Sequence, residues 1–129
     1  MIGTDWPTPI TSVSGFGLDK YAITLDIKRD DLIHPFISGN KWRKLKYLLE
    51  DAQKQQKNTL VTFGGAWSNH LLATACAGAV FGFSTVGFVR GDEGVSNPLL
   101  AMCRLYGMEL RYVDRERYRD KRLLFDELV

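Results

Sequence analysis

A chain of 129 residues has room for one hydrophobic core and not two, so it is expected to form one domain or part of one. With 25% charged and 45% hydrophobic residues it has the make-up of a soluble globular protein, which excludes a disordered chain, a collagen-like fibre or a disulfide-knit miniprotein. Seventeen Lys and Arg against fifteen Asp and Glu leave a formal charge of +2, too small a surplus for a dedicated nucleic-acid binder, so any basic function must come from local clustering.

In chain order, the opening MIGTDWPTPITS has no basic stretch followed by an apolar run, so no secretory leader is visible and a cytoplasmic location is expected. Alternation and β-branched residues predict a strand over 21–28. Over 41–55, Trp42, Leu45, Leu48, Leu49 and Ala52 fall on one helical face, with Ser38 or Asn40 as N-cap. A short apolar strand is predicted over 59–63, a small-residue helix over 67–81, a strand over 84–89 and a helix over 97–105, with Pro98 in its first turn and Gly107 to close it. A strand over 109–113 follows, and helical spacing returns from Arg117. Strands alternating with helices in this way predict βαβ units: an α/β fold with a mainly parallel sheet covered on both faces and a ligand site at the carboxyl ends of its strands.

From Asn58 to Val89 there is no Asp, Glu, Lys or Arg. The Gly64-Gly65 pair and Ser68-Asn69-His70 interrupt this run, and the remaining 71–83 is too short to cross a bilayer, so a buried helix and no membrane partner are expected. Cys76 and Cys103 lie far apart in apolar helical stretches and are expected to be buried, reduced thiols. The apolar stripe Leu123, Leu124, Phe125, Leu128 and Val129 stops without a capping residue, which suggests a chain cut inside a helix.

Two segments carry chemistry. In the first, residues 38–46 (SGNKWRKLK), Lys41, Arg43, Lys44 and Lys46 fall in the first two turns of a predicted helix, where each opposes the helix dipole by about 0.3–1 kcal/mol. Either they form a solvated basic face, or they serve a phosphate or carboxylate held jointly with the helix amides. The same placement suits a reactive lysine, since burial and neighbouring cations both favour the neutral amine that attacks a carbonyl. In the second, residues 62–70 (TFGGAWSNH), a strand runs through a glycine turn into a helix. Its glycines admit a ligand close to the backbone and its uncapped amides suit a small anion; a plain helix start capped by Ser68 or Asn69 is the alternative. Ser68 and His70 lack the G-x-S-x-G setting of a hydrolase, and Gly15-Phe16-Gly17 lacks the third glycine of a dinucleotide loop. His34 and His70 are expected to be structural, with no metal bound.

SGNKWRKLKYLL followed by TFGGAWSNHLLATA, with Lys28-Arg29-Asp30-Asp31-Leu32 upstream, resembles the fold-type II pyridoxal-phosphate enzymes (tryptophan synthase beta-like), in the branch of aminocyclopropane-carboxylate deaminase and D-cysteine desulfhydrase. The likeness runs from about Pro7 to near Tyr118. It implies pyridoxal 5'-phosphate as cofactor and Lys41 as its Schiff-base lysine, able to move protons once displaced by the substrate amine. It also implies Asn69 on the ring hydroxyl and Lys44 toward the phosphate. Ser68 matches the substrate-carboxylate site and a proton-transfer role, with Trp67, Asn69 and His70 beside it. A reactive lysine at one helix start would then face an anion site at another, with the cofactor as electron sink.

The implied reaction is cleavage at the α or β carbon of a small amino-acid substrate, releasing ammonia and a 2-oxo acid, and the full-length enzyme is expected to be a homodimer. Trp67 stands where the family commonly has Gln, and its indole is expected to narrow the pocket or stack on the ligand. Family members are more than twice this long. Residues 1–57 are therefore expected to comprise a region belonging with a large domain plus the Lys41 helix, and 58–129 a small α/β domain truncated at its C-terminal end. The glycine-rich phosphate loop and the ring-nitrogen partner are expected to lie beyond this chain, leaving it inactive alone. The alternative is a non-catalytic α/β domain that binds a small phosphate or carboxylate.

Overall fold

The computed structural model describes residues 6–92, 94 and 97–128. Ile10–Val13 (β1) pairs antiparallel with Leu25–Lys28 (β2), Ile10 opposite Lys28 and Val13 opposite Leu25. The strand expected over 21–28 is shorter because Leu18–Tyr21 forms a 3-10 turn and Ala22 sits at φ 53, which no extended ladder accepts. A second 3-10 turn, Asp30–Leu32, leads to helix α1 (Asn40–Lys54).

The rest alternates: β3 (Thr59–Gly65), α2 (Asn69–Phe81), β4 (Ser84–Arg90), α3 (Pro98–Leu105), β5 (Met108–Val113), a 3-10 turn over Arg117–Arg119 and α4 (Lys121–Asp126). Strands β3, β4 and β5 form a parallel sheet in that order, Phe63 opposite Phe88 and Phe88 opposite Arg111. This is the expected α/β fold with a parallel sheet.

Helix α2 is the centre of the packing. It carries no Asp, Glu, Lys or Arg and buries Leu71, Ala73, Ala75, Cys76 and Ala77, as a helix enclosed on several sides must. Toward α1 it joins Trp42, Leu45, Leu49, Ile37 and Phe83 in one cluster, where the Trp42 ring stacks 4.5 Å from Trp6 and 5.9 Å from Phe81. Toward α3 it joins Leu100, Cys103, Val89 and Met108. On the other sheet face Phe63 stacks 5.0 Å from Phe88, and Leu124 of α4 covers Phe88 and Val113. That face is covered less fully than expected, since α4 has six residues and leaves Leu123 and Phe125 partly exposed.

Other expectations need adjustment. Leu48 lies on the flank of the α1 stripe and is 60% exposed, beyond the reach of α2. The cap of α1 is Gly39, not Ser38 or Asn40. The helical spacing after Arg117 is divided at Asp120, whose carboxylate accepts the Leu123 N–H at 2.9 Å and so starts α4. Val129, the last member of the terminal stripe, lies outside the described residues. Both cysteines are free and buried; burial pushes the Cys103 thiol up to about 11 and raises Cys76, so neither is a ready nucleophile. No described helix is long and apolar enough to cross a membrane.

Trp42→Ala, which empties the stacked cluster, is expected to lower unfolding free energy by about 3–5 kcal/mol. Leu48→Ala on the exposed flank of the same helix is expected to change it by within about 0.5 kcal/mol. Urea unfolding of both variants checks the assignment of the buried stripe.

Candidate active site

The start of α1 is tied to the Lys28–Leu32 stretch. The Gly39 N–H donates to the Asp30 carbonyl at 2.8 Å, and the Arg43 guanidinium grips the Asp30 carboxylate from Nε and Nη2 at 3.0 and 2.9 Å. Gly39 holds φ 58 and ψ −136, a conformation in which a Cβ would be strained even though the space beside it is empty. The Arg43 hydrogen bonds hold the Asp30 carboxyl below the usual carboxylate range, so one cation of the basic cluster is already paired. Between these anchors, His34 Nδ1 accepts the N–H groups of Phe36 and Ile37, both at 3.2 Å, while its ring stacks 5.3 Å from Trp6. His34 is thus structural: burial lowers its pKa and keeps the acceptor nitrogen unprotonated.

The start of α2 is set by Gly64. A Cβ there would come within 2.8 Å of Leu71 Cγ and of Ser68 Cβ and Oγ, so only bare backbone lets the helix begin so close to the strand. Residues 65–68 form a turn closed by the Ser68 N–H on the Gly65 carbonyl at 3.0 Å. Helix α2 accordingly begins at Asn69 rather than Trp67, with Ser68 in the cap position but no capping bond from its hydroxyl.

The two helix starts meet. Lys41, Asn40, Ser38 and Asn69 form the polar side of a pocket of about 340 Å³, and Phe36 and Leu72 form an apolar wall. Lys41 is half-buried, with Nζ donating to Asn40 Oδ1 at 2.8 Å. His70 is neighbour to both lysines: its pKa is lowered by burial first, then by the charges of Lys41 and Lys44. Ser68 lies over Gly64 and the Trp67 indole is 72% exposed, and neither lines the pocket. A lysine amine and two side-chain amides beside an apolar wall can hold a flat anionic ligand with a carbonyl group. Among the described residues no group of three His, Cys, Asp or Glu side chains could hold a metal.

Reading the sequence offered Asn40 only as a helix cap, not as the acceptor of the Lys41 amine, and did not single out Phe36, which walls the pocket. The one available signal for Phe36 was its place in a short apolar stretch just before the basic motif.

A family model for pyridoxal-phosphate dependent enzymes matches residues 2–129. A Thermotoga maritima protein provisionally named 1-aminocyclopropane-1-carboxylate deaminase is 40% identical over 120 residues, covering 93% of this chain and 38% of that protein. The mitochondrial bifunctional D-cysteine desulfhydrase/1-aminocyclopropane-1-carboxylate deaminase of Arabidopsis thaliana is 36% identical over 119 residues, covering 87% of this chain and 29% of that protein. The solved structure of an ACC deaminase homologue superposes with a TM-score of 0.68 at 34% identity, over 85% of this chain and 33% of its own. The chain spans about a third of the length of these relatives.

Both histidines have pKa values below the ordinary 6.5 in the folded state, so the unfolded chain takes up protons that the folded chain resists. Their contribution to stability is expected to be full above about pH 6.5 and to be lost as pH falls through the folded values. Urea unfolding across pH 4–8, a range of about four units around the imidazole titration, reads this slope. In an NMR titration, Lys44→Gln is expected to raise the His70 midpoint, whereas Arg43→Gln leaves it in place because Arg43 is paired with Asp30.

Proposed function

The chain belongs to the pyridoxal-phosphate dependent enzyme family, and on that premise we propose that it supplies the cofactor-lysine half of an enzyme acting on a small amino acid, a deaminase or desulfhydrase that releases ammonia and a 2-oxo acid. What carries the reading is the shared pocket: the half-buried Lys41 amine and the Asn69 amide face one space with an apolar wall. The residues fit the cofactor by chemistry. Phe36 and Leu72 suit a flat ring, Asn69 its hydroxyl, Lys41 its aldehyde, and Lys44 with the α2 amides its phosphate or the substrate carboxylate. When bound, the cofactor withdraws electrons from the substrate α-carbon.

The chain's own groups do the rest. Lys41 holds the cofactor and, with its Nζ aligned by Asn40, gives and takes protons in the pocket. His70, held neutral by burial and two cations, can accept a hydrogen bond without adding a third charge. Ser68 has a hydroxyl not committed to capping and is available to a carboxylate beside it. Outside α1, residues 1–57 are read as packing against another part of the full-length enzyme, with 58–129 as a small α/β unit. In support, Ile10, Phe16, Tyr21, Leu25 and Ile27 in and around the β1–β2 hairpin are exposed.

Incubation with pyridoxal phosphate followed by borohydride is expected to place a reduced pyridoxyl group on Lys41, found by peptide mass mapping. In the full-length enzyme Lys41→Ala is expected to lower turnover by about 10²–10⁴-fold or more. A label elsewhere, or undiminished activity in Lys41→Ala, overturns the reading, and phosphate binding without any lysine adduct would favour a non-catalytic anion-binding domain.

A further inference from the structure

Asn97 joins two elements that the sequence separates by more than thirty residues. Its Oδ1 accepts the Leu100 N–H at 2.9 Å and caps α3, while its Nδ2 donates to the Ala66 carbonyl at 2.9 Å. The side chain is 7% exposed, so both halves of the amide are used out of water. Helix α3 is itself held rigidly against α2, with Leu100 and Cys103 fully buried beside Leu71 and Ala75.

Ala66 is the second residue of the Gly65–Ser68 turn, so its carbonyl belongs to the turn's central peptide. That peptide is the part of a turn most free to rotate: flipping it converts a type I turn to type II and reverses its carbonyl and its N–H together. Trp67 has no positive φ, which places the turn in the unflipped class. With the Ala66 carbonyl pinned toward Asn97, the Trp67 N–H of the same trans peptide points away from α3. The residues that follow directly are Ser68, Asn69 and His70.

We propose that Asn97 is a positioning residue for the turn that leads into α2: capping α3 through its oxygen and holding the Ala66 carbonyl through its nitrogen, it locks the central peptide and so the placement of Ser68 and of the pocket-lining Asn69. The consequence for ligand binding rests on the function proposed above; the locking itself does not. A cap needs only the oxygen, and Ser or Asp would supply it as well. The nitrogen is the part that a cap does not explain.

Asn97→Asp tests this, because it keeps the acceptor for Leu100 and removes the donor to Ala66. Backbone amide exchange is the first readout, taken with no cofactor present. The Ser68 and Leu71 amides, hydrogen-bonded to the Gly65 and Ser68 carbonyls, are expected to exchange about 10- to 100-fold faster than in the parent, with α3 unchanged. Asn97→Ser, a smaller cap without the reach to Ala66, is expected to behave alike and serves if the carboxylate disturbs the fold. The second readout is pyridoxal phosphate uptake at Lys41, trapped with borohydride, which is expected to need about tenfold more cofactor in either variant. Unchanged exchange at Ser68 and Leu71, or α3 loosened as much as the turn, would overturn the proposal. If the parent protein takes up no cofactor at Lys41 while the turn still loosens in the variants, the functional reading fails and the positioning role stands.

Discussion

How near α1 can come to α2 decides whether there is a site at all. Toward α1, helix α2 presents Ala73, Cys76 and Ala77, none long enough to hold a neighbour away, so Trp42, Leu45 and Leu49 lie close over its backbone. The same economy of side chain at Ala75 lets α3 settle on another side with Leu100 and Cys103. Enclosed in this way, α2 needs no charged residue along its length. Its start is then fixed by the sheet, because the bare Gly64 lets Ser68 and Leu71 rest against strand β3. Once both helix starts are set, Lys41 and Asn69 share a pocket without any direct bond between them.

Bringing two helix starts together with basic residues has an electrostatic consequence. Unpaired amides at each start carry partial positive charge, and Lys41 and Lys44 add full charges. The neighbouring imidazole of His70 responds by holding its proton less tightly. Arg43 escapes this crowding through Asp30, so the paired carboxylate both orients α1 and removes one cation from the count. What remains is a positive region that is unfavourable in the empty fold and favourable beside an anion. The cost is borne at the helix ends, while the buried stripe of Trp42, Leu45 and Leu49 stabilises the same helix one turn further on. A site built on the ends of well-packed helices keeps its geometry better than one built on loops.

Much of this fold was legible because its elements obey local rules. Strands β3 and β4 are short, largely apolar runs, Pro98 stands in the first turn of α3, and α2 reads as a buried helix from its lack of charge. The misplacements have local physical causes that no periodicity reports. A left-handed Ala22 shortened β2, and a glycine conformation at Gly39 replaced a side-chain cap. Leu48 shows the limit of the apolar stripe: the periodicity is correct, but α2 is too narrow to cover the flank. Coverage of the second sheet face by the six-residue α4 is likewise a matter of length rather than pattern.

For the candidate site, sequence conveyed which chemical groups are present and packing decided which of them meet. Lys41 and Asn69 come from two motifs and converge because their helices do. Trp67 and Asn69 are two residues apart, yet one is exposed outside the pocket and the other lines it, since the turn ends between them. The helix expected over 97–105 counted Asn97 as its first residue and not as its cap, although Asn before Pro at a helix start is a local signal for one. Its bond to Ala66 has no local signal at all, because nothing near position 97 in the chain records that a carbonyl thirty-one residues earlier arrives beside it. The same holds for Asp30 and Arg43, thirteen residues apart. Long-range polar bonds of this kind leave no periodic trace, and in this protein they are the ones that orient the two helix starts.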